Sequence, residues 1–127
     1  MIVGIGTDIV HIPRIEAILS ENGGRFIQRI LTESEIEAFQ QAAKPAEFVA
    51  ARFAAKEAAA KALGTGFRSG LSYLHIRVIK DEWHRPILMF SEVAQQLADQ
   101  HKISHVHLTI THEREYALAF VVLEARS

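Results

Sequence analysis

The chain contains no cysteine among its 127 residues, and this absence sets the first limit on its chemistry. Disulfide bonds and thiol nucleophiles are excluded, and nothing in the composition points to an oxidising compartment. No apolar run reaches the length of a membrane span, and the N-terminus lacks the basic start of a signal peptide. We therefore expect a cytoplasmic protein with no membrane partner.

A strong excess of either charge is also missing. Fourteen Lys and Arg residues stand against fifteen Asp and Glu residues, which gives a net charge of -1. Non-specific nucleic-acid binding relies on a basic surface, so we expect no nucleic-acid partner. The length and the 49% hydrophobic content are typical of one soluble globular domain, and we expect a single domain over residues 1–127.

Helix-breaking residues are absent from a long alanine-rich stretch, which begins FVAARFAAKEAAAKAL at residue 48. Alanine is the strongest helix former. Pro45 suits a first helical turn, and Gly64 suits a left-handed C-terminal cap. The pattern predicts a helix of about five turns. Its methyl side chains allow a neighbouring backbone or a ligand to come close.

Four long side chains stand out on this helix. Arg52 and Lys56 are four residues apart, as are Glu57 and Lys61, so each pair shares a face. One interpretation is two ordinary surface features, of which the Glu57–Lys61 pair is worth about 0.3–0.5 kcal/mol. The other is that a carboxylate holds a metal while lysines one turn away hold phosphate. This second interpretation requires another carboxylate from elsewhere in the chain.

Asp8 offers that carboxylate. Residues 2–5 form a short apolar run bounded by glycines, which predicts a buried strand with Asp8 at its exit. Carboxylates at strand ends are common metal ligands. A turn or a cap for the next segment explains Thr7 and Asp8 equally well.

The rest of the chain alternates between helical and strand patterns. Pro13 can open a helix that Asn22-Gly23-Gly24 ends, and Thr32 with Glu35 forms a capping box. Further helices are predicted at 25–31, 32–41 and 91–102, and further strands at 74–78, 87–90, 105–111 and 116–123. This order predicts an α+β domain with a mainly antiparallel sheet packed against the alanine-rich helix.

Arginine and histidine side chains mark further candidate surfaces. The first helices are locally basic because they carry Arg14, Arg25 and Arg29. Such arginines form either a solvated face or a docking patch for an acidic partner. His112 lies at a strand end beside a turn, from where it can reach a site. His105 and His107 share a strand face, but without a third ligand they are better read as solvent-facing than as a zinc site.

Three motifs line up along the chain: GIGTDIVHIPRIE at 4–16, RFAAKEAAAKALGTG at 52–66 and LTITHEREYALA at 108–119. Together they resemble the holo-acyl-carrier-protein synthase family, the small single-domain type of 4′-phosphopantetheinyl transferase. The resemblance spans essentially the whole chain. The chain departs from the family pattern at two places. The turn before the proline commonly carries a glycine, but here its residues are His84 and Arg85. The third motif often reads Ser-x-Ser-His, and here it reads Thr109-Ile110-Thr111-His112. The first change alters a surface turn, and the second keeps a hydroxyl.

The resemblance implies the 4′-phosphopantetheinyl transferase fold and a specific reaction. The phosphopantetheine arm of coenzyme A would be transferred to a serine of apo-acyl carrier protein, with release of adenosine 3′,5′-bisphosphate, in support of fatty acid biosynthesis. Family members are usually homotrimers with coenzyme A bound between subunits.

The resemblance also implies roles for individual residues. Mg²⁺ would be held by Asp8 and Glu57, which would act in catalysis together with Lys61. Coenzyme A contacts would come from Lys56, Lys61, Gly64 and His112. The acyl carrier protein is acidic, so it would dock mainly on Arg14, with Arg25 and Arg29 in support.

The chemistry fits these residue types. Displacement at a pyrophosphate requires its charge to be neutralised and its leaving oxygen stabilised. Magnesium prefers oxygen ligands and keeps several waters, so one or two carboxylates and the substrate phosphates suffice. The alternatives are a magnesium-dependent nucleotide phosphohydrolase, with water as nucleophile, and a non-catalytic module that binds coenzyme A or a carrier protein.

Overall fold

Residues 1–126, the part of the chain that the computed structural model describes, contain five β-strands and four α-helices. The strands are β1 (Ile2–His11), β2 (Ile76–Lys80), β3 (Pro86–Phe90), β4 (Ile103–His112) and β5 (Tyr116–Ala125). The helices are α1 (Ile12–Ile30), α2 (Glu33–Gln40), α3 (Pro45–Leu63) and α4 (Glu92–Gln100), and a 3₁₀ turn spans Tyr73–His75. The expected α+β class is confirmed.

The strands form two antiparallel sheets. The larger sheet has the order β1-β5-β4, and the smaller one is the β2-β3 hairpin. Helix α3 packs against β1 and β5, and its alanines form the centre of the core. Five of them are fully buried: Ala50, Ala54, Ala55, Ala58 and Ala59. Because their side chains are small, the sheet lies close to the helix backbone.

Two glycines in β1 allow this strand to lie directly against the backbone of α3. A side chain at Gly4 would collide with the carbonyl group of Ala62, and one at Gly6 would collide with that of Ala58. Alternate residues of a strand share a face, so Asp8 points to the same side of β1 as these glycines. The glycines therefore bring Asp8 to the middle of α3.

The predicted ends of α3 and the predicted start of α2 are confirmed. Helix α3 starts with Pro45 in its first turn and ends at Gly64, which adopts a left-handed conformation with φ of 86°. The predicted end of the first helix at Asn22-Gly23-Gly24 is wrong, because α1 continues to Ile30 and is only kinked at Asn22, where φ is -149°. The capping box of α2 is present, because Thr32 N donates to Glu35 Oε1 (2.8 Å) and Glu35 N donates to Thr32 Oγ1 (3.4 Å).

Three further details of the prediction were wrong. Strand β1 continues to His11 rather than ending near residue 5, because β5 pairs with it along its whole length. Asp8 therefore lies inside the strand, opposite Ala119, and not at its exit. The strand predicted from residue 74 begins at Ile76, after the 3₁₀ turn. Ser91 holds the N-cap position of α4 without a side-chain cap bond in the described chain.

No helix between residues 1 and 126 combines the length and the apolar character needed to cross a membrane.

Candidate active site

Asp8, Glu57 and Lys61, the three residues predicted to act in catalysis, lie together where β1 meets α3. Lys61 Nζ donates to Asp8 Oδ1 (3.2 Å) and to the carbonyl oxygen of Thr7 (2.9 Å). Glu57 lies one helical turn before Lys61, close enough for its charge to act on Asp8. We call this group the carboxylate site.

The Asp8 carboxyl is partly buried beside a second carboxylate, and this raises its pKa. Burial raises the pKa of Asp8 above its ordinary value, and the charge of Glu57 raises it further. The hydrogen bond and the charge of Lys61 act in the opposite direction but do not cancel these effects. The Asp8 side chain is 18% exposed and that of Lys61 is 54% exposed. A further cation at the site would act against this shift, because it would favour the ionised form of Asp8.

Glu57 is held by a neighbour on the chain segment after α3. The hydroxyl of Tyr73 donates a hydrogen bond to Glu57 Oε1, at a distance of 2.5 Å. Burial raises the pKa of the Tyr73 hydroxyl, and the hydrogen bond to Glu57 raises it further, so the hydroxyl stays protonated at neutral pH. Glu57 Oε1 thus already accepts one hydrogen bond, and Oε2 is the oxygen that does not contact Tyr73.

Lys56 does not reach the carboxylate site, contrary to its predicted contact with coenzyme A. Its side chain is fully buried. The ammonium group donates to the carbonyl of Ile30 (2.5 Å), to Glu35 Oε1 (2.6 Å) and to the carbonyl of Tyr73 (3.2 Å). One residue of helix turns the side chain by about 100°, so Lys56 points into the core while Glu57 does not. Its three donors are used within the fold.

A second site lies in a cavity of about 640 Å³ next to the start of α3. We call it the cationic cavity, because its polar lining includes Lys44, Arg52, Lys80, His84 and His112. His112 Nε2 lies 3.5 Å from Glu47 Oε1, which also lines the cavity.

Arg52 is the buried cation of this cavity. Only 9% of its surface is exposed, and its guanidinium lies over the Phe48 ring at 3.7 Å from the centroid. Its Nε has no hydrogen-bond partner within the described chain. A buried donor without a partner is costly.

The two sites face different sides of α3. Arg52 and Glu57 are five residues apart, which places their side chains about 140° apart around the helix axis. His112 therefore joins Arg52 and not the carboxylate site. Gly64, the other predicted coenzyme A contact, follows Lys61 closely, and a side chain there would meet no heavy atom within 4 Å. The space beside Gly64 is open to a ligand.

The predicted basic patch borders the carboxylate site. All three of its members are exposed: Arg14, Arg25 and Arg29. The charge of Arg14 lowers the pKa of Asp8, and that of Arg29 lowers the pKa of Tyr73, although burial dominates both shifts in the other direction. Two of the three arginines are thus close enough to act on the site electrostatically.

The histidine pair on β4 does not form a metal site. His105 and His107 stack with ring centroids 6.2 Å apart, and His107 Nε2 lies 2.9 Å from Glu124 Oε1. Among residues 1–126, no group of three or more His, Asp or Glu side chains is arranged to hold a metal ion. The interpretation of this pair as solvent-facing is supported, since both side chains are exposed.

Two side chains at the candidate sites, Tyr73 and Arg52, were not predicted from the sequence. Tyr73 lies in the stretch between α3 and β2, and no spacing rule links it to Glu57. Arg52 was considered only as a surface partner of Lys56. Its one sequence signal is its position, four residues after Phe48 on the same helix face, where its guanidinium can lie over the ring.

Comparison with known proteins places the chain among relatives of matching length. Residues 4–121 match the 4′-phosphopantetheinyl transferase superfamily (ACPS). The holo-[acyl-carrier-protein] synthase of Hamiltonella defensa is 50% identical over 123 residues, covering 97% of this chain and 98% of that protein.

Solved structures agree with this match. The holo-[acyl-carrier-protein] synthase of Neisseria meningitidis is 43% identical, with a TM-score of 0.92 over 98% of this chain and 99% of that one. The Bacillus anthracis synthase, solved in complex with CoA (3′,5′-ADP), is 44% identical, with a TM-score of 0.83 over 99% of both chains. The chain therefore belongs to the holo-[acyl-carrier-protein] synthase family of 4′-phosphopantetheinyl transferases.

Proposed function

We propose that the enzyme transfers the 4′-phosphopantetheine group of coenzyme A to a serine of apo-acyl carrier protein and releases adenosine 3′,5′-bisphosphate. The observation that carries this proposal is the carboxylate site, in which Asp8 and Glu57 lie beside Lys61. The serine belongs to the partner, so the chain needs no nucleophile of its own. The complex of the Bacillus anthracis relative with CoA (3′,5′-ADP) supports coenzyme A as the donor.

The residues of the carboxylate site fit Mg²⁺. Two carboxylates approach each other there, and the charge of Glu57 raises the pKa of Asp8. Magnesium prefers oxygen ligands and needs only one or two carboxylates from the protein. When bound, the ion would neutralise the pyrophosphate and its leaving oxygen. Lys61 is exposed enough to turn from Asp8 to a phosphate oxygen.

The cationic cavity suits the other phosphate of the substrate. Coenzyme A carries a 3′-phosphate as well as its pyrophosphate, so one molecule presents anionic groups at two places. Arg52 and His112 would bind that phosphate, because both residues line the cavity and carry nitrogen donors. The two sites face different sides of α3, so one coenzyme A would use the carboxylate site of one subunit and the cavity of another.

A homotrimer would also explain an exposed apolar surface. Four large apolar side chains project from the outer face of β1 and β5: Val3, Ile5, Ile9 and Phe120. Contiguous apolar patches on a soluble protein mark interaction surfaces. We propose that this face is covered by neighbouring subunits.

The exposed arginines supply the carrier-protein surface in this proposal. Arg14 would be the main docking residue, with Arg25 and Arg29 in support, because complementary charge speeds encounter and sets register. We further propose that one domain over residues 1–127 carries the activity, in the cytoplasm, and that it serves fatty acid biosynthesis.

Intact-mass spectrometry of the carrier protein tests the reaction. Apo-acyl carrier protein, coenzyme A and Mg²⁺ are incubated with the wild-type enzyme, with Glu57→Gln and with the control Glu37→Gln, which changes an exposed glutamate of α2. We expect a mass gain of one phosphopantetheine with the wild type and the control, and none with Glu57→Gln or with EDTA. Unmodified carrier protein with hydrolysed coenzyme A would instead favour a phosphohydrolase.

A further inference from the structure

Tyr73 forms the closest polar contact at the carboxylate site. Its hydroxyl lies 2.5 Å from Glu57 Oε1, and its phenol is partly buried. A hydrogen bond to an ionised acceptor is short and about twice as strong as one between neutral groups. Without it, the long Glu57 side chain would sample several rotamers. The bond restrains the carboxylate and leaves Oε2 as the oxygen without a contact to Tyr73.

Tyr73 is itself fixed by aromatic contacts. Its ring stacks on Phe67, with centroids 3.8 Å apart and an interplanar angle of 26°. Phe53 lies on α3, and its ring centroid is 5.8 Å from that of Tyr73. Helix α3 and the loop after it therefore determine the orientation of the phenol.

The backbone of Tyr73 is fixed by the buried ion pair. Lys56 Nζ donates to the Tyr73 carbonyl (3.2 Å) and to Glu35 Oε1 (2.6 Å). Glu35 Oε2 in turn accepts from the backbone N–H of Val78 (2.8 Å), in the middle of β2. Lys56 and Glu57 are adjacent on α3. The helix thus holds Tyr73 by its carbonyl through Lys56, while the Tyr73 hydroxyl holds Glu57.

We propose that Tyr73 is a positioning residue that keeps Glu57 Oε2 directed at the cation of the carboxylate site. The inference rests on the proposed function, in which Glu57 is a Mg²⁺ ligand. Partners that orient a ligating side chain typically change metal affinity by about 10- to 100-fold when removed. Lys56 and Phe67 affect Glu57 only indirectly, because they contact Tyr73 and not the Glu57 carboxylate.

Direct binding of Mn²⁺, measured by the loss of its free EPR signal, tests this role without relying on turnover. The proteins are the wild type, Tyr73→Phe, Glu57→Gln and the control Tyr116→Phe, which removes the hydroxyl of the chain's only other tyrosine. We expect Tyr73→Phe to weaken binding by about 10- to 100-fold, and the control to match the wild type. At saturating metal, kcat of Tyr73→Phe should recover most of the wild-type value.

The outcomes distinguish the role of Glu57 as a metal ligand from the role of Tyr73 in positioning it. If Glu57→Gln binds Mn²⁺ as the wild type does, the metal assignment in the proposed function is wrong. If Glu57→Gln loses binding while Tyr73→Phe stays within about twofold of the wild type, only the role of Tyr73 is overturned.

Thermal melting checks that Tyr73→Phe is folded, which we expect because the aromatic ring is kept. If Tyr73→Phe has a clearly lower melting temperature than the wild type, the same Mn²⁺ titration is carried out with Phe67→Leu. This variant keeps the hydroxyl but loosens the stacked ring. Wild-type affinity in that variant would overturn the proposal.

Discussion

Replacing Lys56 by methionine keeps most of the side-chain volume but removes a buried ammonium group. The ammonium is fully buried and bonds Glu35 Oε1 at 2.6 Å. The substitution leaves the Glu35 carboxylate without its counter-charge, and it leaves the carbonyl groups of Ile30 and Tyr73 without a donor. Removing one partner of a buried ion pair costs about 3–5 kcal/mol.

The cost should fall near the lower end of that range. Glu35 keeps two backbone donors, Thr32 N and Val78 N. We therefore expect Lys56→Met to lower the free energy of unfolding by about 3 kcal/mol, a large part of the roughly 5–15 kcal/mol typical of a domain. Adding Glu35→Gln should recover part of this loss, because it removes the stranded charge.

Urea unfolding followed by circular dichroism measures this loss, with protein concentration held fixed because assembly would also stabilise the fold. The matched control is Lys61→Met, one turn further along α3, where the side chain is 54% exposed. An exposed pair contributes about 1 kcal/mol or less, so the control should stay close to the wild type. If Lys56→Met were no less stable than Lys61→Met, the structural role of Lys56 would be refuted.

Four further predictions follow from the site. Gly6→Ala places a methyl group against the carbonyl of Ala58, so the free energy of unfolding should fall by about 1–3 kcal/mol; an unchanged melting temperature would contradict the close approach. Folding raises the pKa of Asp8, so its proton stabilises the fold fully below about pH 4, and this stabilisation is lost as the pH rises through the raised pKa. Without metal, Asp8→Asn should therefore be more stable than the wild type at pH 7, with a smaller difference at lower pH; a less stable variant would contradict this sign. Arg52→Met should raise the KM for coenzyme A by about 10- to 100-fold, and an unchanged KM would remove the cationic cavity from the substrate site. Arg14→Glu should raise the KM for carrier protein but not that for coenzyme A, whereas equal losses would argue against docking there.

Local sequence signals were sufficient for the framework of the site. Alanine content and the flanking Pro45 and Gly64 predicted α3 with its ends, since these features act within the helix itself. The pairing of Asp8 with Glu57 was expected from the motifs. The reason for their proximity became visible only in the structure, where Gly4 and Gly6 let β1 lie against α3.

The direction of each side chain on α3 could not be predicted. An amphipathic helix shows its buried face by an apolar stripe, but α3 carries alanine on every side and has no such stripe. Nothing local therefore distinguished Lys56, which is buried, from Lys61, which is exposed. The bond between Tyr73 and Glu57 also depends on the path of the loop after α3, which packing of the whole domain determines.

Anomalous diffraction from crystals grown with coenzyme A and Mn²⁺ would locate the cation directly. We predict one peak in contact with both Asp8 and Glu57 Oε2 and with the pyrophosphate of coenzyme A. A cation bound away from these carboxylates, with coenzyme A in place, would contradict the assignment of the carboxylate site as the centre of the reaction.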